Sequence, residues 1–453
     1  MTEAEDRQRL LSYVTEARWF GGKGRSAELT GVSALPWLTE AGSWPAVRVE
    51  IVEINYLADT ATGSAAESGP SEFYQIPVSY RPAPHPDWHF AEIWRIDDPE
   101  LGPVVGYDAV YDPQACQLLL AQLLRQARSH DGETSTSFHL TDRGALTGTE
   151  EPEVFAGQQS NTSIMFGQLA MLKVFRRLEL GHNLDIEVHE ALSRDGIADV
   201  AKLFGWFEGS WRQGDTEVTA DLGMLVERFK QAEDGWGLAL DSLSERKEFA
   251  TEAAALGRAL AEIHGALRTS FPTGQLTGAA VAATMAERVH RAAAIAAPLR
   301  DLVPGLLRCF DALAGQQLSV QRVHGDFHLG QTLRTPDGWK IIDFEGEPAK
   351  TLAERSAPDS VWRDVAGMLR SFDYAAASVP GAAGAEWAAA CRSAFLEGYT
   401  GRLSPEELIM LQAYEADKAV YEVIYEVRNR PDWVNIPLAA VAAIANSSAA
   451  AGS

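Results

Sequence analysis

Cysteine is scarce in this chain. Only Cys116, Cys309 and Cys391 occur among its 453 residues. None has metal-ligand spacing, and an odd count fits a reducing compartment better than a disulfide framework. Positive charge is short as well: 39 Lys and Arg stand against 63 Asp and Glu, a net −24. The phosphates of nucleic acid and of anionic membranes would be repelled, so neither is expected as a partner. No apolar run approaches the ~18 to 20 residues that cross a bilayer. The opening MTEAEDRQRL also lacks the basic start and apolar core of a secretion signal. A soluble, cytoplasmic protein is the expectation.

What is present is an ordinary globular composition, 46% apolar and 23% charged, in a chain long enough for two or three packed units. Its most informative stretch is Gln321 to Pro348, QRVHGDFHLGQTLRTPDGWKIIDFEGEP. Thr335-Pro336-Asp337-Gly338 is turn chemistry, because Pro presets one dihedral and Gly supplies a positive φ. The segment therefore reads as loop, strand, tight turn, strand, loop, a return that brings Asp326, Gln331 and Asp343 towards one end. Such a cluster suits phosphoryl transfer. One Asp takes the acceptor proton or aligns the hydroxyl, while a second Asp and an amide oxygen hold Mg²⁺ beside ATP. The spacing matches the kinase pattern: His324-Gly325-Asp326 in the H-R-D place, Gln331 in the Asn place, Asp343-Phe344-Glu345 in the D-F-G place. A buried hairpin with salt-bridged acids is the plainer alternative.

Upstream, Asp6 to Arg18 carries a helical apolar stripe (Leu10, Leu11, Val14). The Gly-rich basic loop Arg18 to Arg25 lacks G-x-x-x-x-G-K-[ST] spacing and reads as a structural turn with a packed Trp19. VRVEIVEINYL and EFYQIPVSYRP alternate as half-buried, paired strands, joined by a flexible stretch near residue 61. Asp112 and Pro113 open a helix as cap and first-turn residue, and the polar run 129–151 reads as a linker.

Next, Phe155 to Phe175 gives strand, loop, strand, turn, strand. The loop has no G-x-G-x-x-G, yet Ser160, Asn161, Thr162 and Ser163 offer small donors to a phosphate. Lys173, inside an apolar strand, needs a partner because a buried unpaired ammonium is costly. A phosphate together with a carboxylate of the helix beginning near Asn183, which offers Glu187 and Glu190, would serve. An edge-strand lysine reaching solvent is the alternative. Further on, His264 sits on an apolar helix face and is expected to be core, and Asp364 is expected to brace the catalytic loop.

The H-G-D-x-H form with D-F-E resembles the aminoglycoside-phosphotransferase branch of the kinase fold. The longer string HLGQTLR…IIDFEGEP resembles actinobacterial maltokinases and their glucosamine-kinase relatives. That resemblance implies an α+β, bilobal protein-kinase-like fold: a β-rich N-terminal cap over residues 1–110, a nucleotide-facing lobe over 111–229, and a mostly helical lobe over 230–453. It implies a catalytic Asp326, metal ligation by Gln331 and Asp343 with Glu345 as a further candidate, and Lys173 positioned by Glu187. It also makes Glu227 to Phe229 the hinge whose backbone groups pair with adenine.

In LQAYEADKAVYEVIYEVRNRPDWVNIPL, residues Tyr414, Lys418, Tyr421, Tyr425 and Arg428 share one helix face. Polar aromatics and carboxylates bind sugars; core tyrosines with wet tips fit the spacing equally well. The resemblance places the acceptor at this end, at His328, Tyr414, Asp417, Tyr421, Glu422, Tyr425, Asp432 and Trp433. Asn435 stands where maltokinases more often carry Pro, and Asp432 precedes the Trp. An acidic, short-polar end of this kind suits an ammonium-bearing monosaccharide. An ATP-dependent glucosamine kinase is therefore expected first and a maltokinase second. A nucleotide-binding pseudokinase is the reading of another class, opposed by the joint presence of Lys173, Asp326 and Asp343.

Overall fold

The computed structural model describes residues 3–56, 71–155, 160–348, 350–379 and 382–450. The stretch near residue 61 and residues 156–159, where a phosphate-facing loop is expected, lie outside them. The chain divides into two compact units, Met1–Glu190 with Lys202–Lys230, and Ala191–Ala201 with Gln231–Ser453.

The first unit holds two antiparallel sheets. In one, the strands run in the order Ala27–Ala34, Ala46–Tyr56, Glu72–Arg81, Gly102–Asp108, Glu92–Asp98. The helix Glu3–Glu16 covers it: Leu10 and Val14, four residues apart and so on one face, are fully buried with Tyr74, Ile76 and Val78. The strands Ala46–Tyr56 and Glu72–Arg81 are buried along nearly their whole length rather than on one face. Phe73, pointing opposite to Tyr74, meets Trp211 of the other sheet edge-on at 5.6 Å, so both faces are covered. Alternation alone does not reveal a second covering layer.

The other sheet has the order Arg128–His130, Ser135–Leu140, Leu203–Gln213, Thr216–Glu227, Ala170–Val174, Thr162–Phe166, Pro152–Val154. Part of the run expected to be a linker is thus two strands. Only Thr136 and Phe138 of Ser135–Leu140 are buried, too sparse an apolar pattern to mark a strand in the sequence. After Ala170–Val174 the chain crosses to the first sheet, where Arg177 and Leu178 pair with Tyr74 and Phe73.

Arg176 lies at this crossing, fully buried. It donates through Nη2 to Asp108 at 2.7 Å and through Nε to Thr162 Oγ1 at 2.8 Å. Its guanidinium stands 5.1 Å from the Trp19 ring, and the Tyr13 hydroxyl donates to the same Asp108 carboxylate at 2.6 Å. The expected cap is also in place: Asp112 accepts from the Gln114 amide at 3.0 Å and opens the helix Pro113–Leu124.

The second unit is mainly helical around the hairpin of strands Thr332–Thr335 and Gly338–Ile341, whose register closes Thr335 on Gly338. The helices Ala250–Ser270 and Ala382–Tyr399 come into backbone contact because both carry glycine at the crossing: a Cβ on Gly257 would overlap the Phe395 carbonyl, and one on Gly398 the Ala254 carbonyl. The long helix Pro405–Asn429 opens on a reciprocal Ser404–Glu407 cap with Pro405 in its first turn, and Pro431 follows its end. Among the described residues no helix is long and apolar enough to cross a membrane.

Candidate active site

The catalytic loop is held by its backbone. Asp364, in the first turn of the helix Trp362–Ser378, accepts the amides of His324 and Gly325 at 2.7 and 2.8 Å. Burial alone would raise the Asp364 pKa. The hydrogen bond from His264 at 2.9 Å, together with the loop amides, outweighs burial and holds the carboxyl below its ordinary value. His264 is buried and bridges Asp364 to the Tyr399 hydroxyl, so it is core, as its place on an apolar face suggested. Gly325 has φ +86°, a conformation that glycine takes without strain. Gly367 completes the fit, since a Cβ there would stand 2.5 Å from the Phe327 carbonyl.

Asp326 emerges from this brace with its side chain 22% exposed. The Lys418 ammonium lies 3.2 Å from Oδ1, and His328 Nε2 lies 4.0 Å from Oδ2. Burial pushes the Asp326 pKa up. Lys418 first and the two histidines next outweigh it, so the net shift is downward and the group is ionised at neutral pH. The His328 pKa is lowered as well, because burial disfavours the imidazolium more than Asp326 favours it.

The hairpin return places Gln331 and Asp343 together, with the Gln331 side-chain amide donating to Asp343 at 3.1 Å. A backbone bond from Ile342 to the Gln331 carbonyl at 3.1 Å and one between His324 Nε2 and the Ile342 carbonyl at 3.0 Å fix both ends. Asp343 itself has φ +69°, a strained setting for a residue with a Cβ. Glu345 offers a carboxylate oxygen within 4.8 Å of one from Asp343. The set is oxygen-rich, two carboxylates and an amide, which fits a hard divalent cation.

In the first unit, Lys173 donates to Asp185 at 3.0 Å. Asp185 is buried, which would raise its pKa, but Lys173 and then His189 hold it far below the carboxylate range. The carboxylate that the structure sets against Lys173 therefore comes two residues ahead of Glu187. The sequence D-I-E offers both acids in the first turn of the helix Leu184–Arg194, and Asp185 stands in direct contact with Lys173. Ser163 is buried within its strand, while Asn161 and Thr162 accept from the backbone and side chain of Arg176. Ser160 is exposed at the loop's edge. Of the hinge residues, Glu227 donates its amide to the Lys202 carbonyl. Phe229 follows beyond the last strand residue.

Beside Asp326 opens a cavity of about 820 Å³. Of the residues expected to bind the acceptor, His328, Tyr421, Glu422, Tyr425 and Trp433 line it, joined by Lys418, Trp236, Tyr374, Arg428 and Arg430. Trp433 stacks nearly parallel to Tyr374, with ring centres 6.4 Å apart. Three expected acceptor residues are not part of this lining. Tyr414 is buried and donates to Asp359 at 3.0 Å. Asp417 is buried against Arg288 at 2.5 Å, because one residue before Lys418 it is turned about 100° away around the helix. Asp432 is exposed in the turn after the helix. The acidity read from the sequence is also largely compensated: Glu422 takes Arg370 at 2.9 Å, and Glu426 takes Arg430 at 2.6 Å.

A braced aspartate on an H-G-D loop, a second aspartate with an amide partner after the hairpin, and a lysine–aspartate pair on the strand-and-helix of a β-rich unit define a phosphotransferase with a protein-kinase-like fold. Residues 171–406 match the family model described as "Phosphotransferase enzyme family", and residues 13–112 match the "Maltokinase N-terminal cap domain". The chain belongs to the phosphotransferase enzyme family. It is 30% identical to a glucosamine kinase of Streptacidiphilus jiangxiensis over 313 residues, 62% of this chain and 70% of that protein. It is 27% identical to a glucosamine kinase of Mycolicibacterium smegmatis (strain ATCC 700084 / mc(2)155) over 63% of this chain and 77% of the relative. A solved glucosamine kinase in complex with glucosamine, ADP and inorganic phosphate has the same fold, with a TM-score of 0.64, 23% identity, and coverage of 96% of this chain and 98% of that one.

Proposed function

We propose that this protein transfers the γ-phosphate of ATP to a hydroxyl of glucosamine. The observation that carries the reading is Asp326, ionised and aimed beside a cavity of sugar-sized chemistry: aromatic faces from Tyr421, Tyr425 and Trp433, with carboxylates and guanidinium groups between them. Asp326 takes the proton of the acceptor hydroxyl as the new phosphate ester forms. Glu422 spends Oε2 on Arg370, leaving Oε1 as the oxygen for the sugar ammonium. Lys173, fixed by Asp185, clamps the phosphates from the first unit, with Ser160 to Ser163, Glu187 and the Glu227–Phe229 segment as the surrounding nucleotide contacts. Gln331, Asp343 and Glu345 would hold Mg²⁺, which neutralises charge on the phosphates when bound.

A second reading, phosphorylation of maltose, is favoured by the maltokinase cap match over residues 13–112. Kinase assays with both sugars side by side decide between them. Turnover of glucosamine with none of maltose is expected; robust maltose turnover with none of glucosamine reverses the order. ATP consumption with neither sugar nor any other in a small panel would leave the pseudokinase reading standing.

A further inference from the structure

Lys418 stands on the helix Pro405–Asn429 one turn ahead of Tyr421 and Glu422 and two turns ahead of Tyr425, all of which line the acceptor cavity. Its ammonium is 3.2 Å from Asp326 Oδ1, and its side chain is about one quarter exposed (24%). A cation so largely withdrawn from water is favoured by a nearby opposite charge, and the carboxylate at its ammonium is the one assigned to proton transfer. We propose that Lys418 is a positioning residue for Asp326. It holds Oδ1, which leaves Oδ2 to face the acceptor hydroxyl. Because the same rigid helix carries the sugar-lining residues, seating the sugar and aiming the base become one event.

In the step itself, Oδ2 takes the hydroxyl proton as the sugar oxygen bonds to the γ-phosphorus. The bond from that phosphorus to the β–γ bridging oxygen breaks, and ADP leaves. Lys418 stays protonated throughout. Burial lowers its pKa, but Asp326 first and then Glu347 and Glu422 raise it further, against a smaller opposing effect of Arg363. The charged and titratable groups facing Asp326 include Lys418, His328, His324 and the Tyr421 hydroxyl. Lys418 is the largest of the effects that oppose burial at that carboxyl, so its removal is expected to raise the Asp326 pKa.

This rests on the reading of Asp326 as the acceptor-side base, and the test separates the two. Lys418→Met and Lys418→Arg are compared with wild type for kcat, for KM of ATP and of whichever sugar wild type phosphorylates, and for the pH profile of kcat. Lys418→Met is expected to lower kcat by at least about tenfold, to move the acid limb to higher pH, and to leave KM for ATP within about twofold. Lys418→Arg should return the limb most of the way. A kcat within about twofold of wild type, or a loss of kcat with the limb unmoved, overturns the proposal. If Lys418→Met does not fold, Lys418→Gln replaces it: a limb moved further in Gln than in Arg supports the role, and equal limbs overturn it. NMR titration of the Asp326 carboxyl in the same variants reads the shift without any sugar. A wild-type enzyme inactive on sugars refutes the acceptor reading, whereas an Asp326 titration unmoved in Lys418→Met overturns the Lys418–Asp326 coupling by itself.

Discussion

Asp343 receives the side-chain amide of Gln331 at 3.1 Å while its own backbone is held at φ +69°. A left-handed conformation at a residue with a Cβ costs about 1–3 kcal/mol and persists where the surroundings impose it. Here the hairpin register, the Ile342–Gln331 bond and the His324–Ile342 bond impose it. The carboxylate is thereby presented at the end of the strand instead of folding back along it.

Asp343→Asn should keep the fold and lose the charge. Turnover is expected to fall at least about a hundredfold, with a higher Mg²⁺ concentration needed for half-maximal rate. A magnesium titration of the variant checks this, with thermal unfolding showing a midpoint close to wild type.

Asp326→Ala should abolish measurable turnover while ATP affinity, read by calorimetry, stays within a few-fold of wild type. In the intact protein the folded pKa of Asp326 is depressed, so the active ionised form persists as pH falls past the ordinary carboxylate value of about 3.9. The acid limb of kcat/KM is expected below that value, wherever the protein stays folded. The same shift stabilises the fold above the unfolded pKa and is lost as pH falls through the folded one.

Asp417→Ala separates core from acceptor site. The carboxylate is buried but Arg288 is 38% exposed, so the guanidinium left behind turns to solvent and the loss of stability is small, on the order of 1 kcal/mol. Chemical denaturation should show that loss while KM for the sugar is unchanged. A raised KM at full stability would return Asp417 to the acceptor site.

Asp108→Asn tests the cap. Asp108 lies within the stretch that matches the cap family, and through Arg176 it steadies Thr162 at the base of the loop proposed to face the phosphates. The variant is expected to raise KM for ATP several-fold with KM for the sugar unmoved, as steady-state kinetics with each substrate varied will show.

Much of the site was legible because it is local. The H-G-D loop, the Thr335–Gly338 turn and Asp343 are joined by a short hairpin, so turn chemistry alone predicts that Gln331 and Asp343 meet. The acceptor face was legible in part. Helical spacing aligned Lys418, Tyr421 and Tyr425, but it carried no information on which turns of that helix lie under other helices, and Tyr414 and Asp417 proved to be interior. The sequence likewise left Glu422 as unpaired acidity at that end, since the arginine that pairs with it, Arg370, lies 52 positions away.

By itself the sequence determined the family chemistry and the order of its parts, because motif spacing, caps and turns act over a few residues. Only the tertiary structure decided the partners: Asp185 for Lys173, Lys418 for Asp326, Asp108 for Arg176. Each pair brings opposite charges to about 3 Å in a setting largely withdrawn from water. That distance is set by how sheets and helices pack, and it leaves no trace in the local pattern of residues.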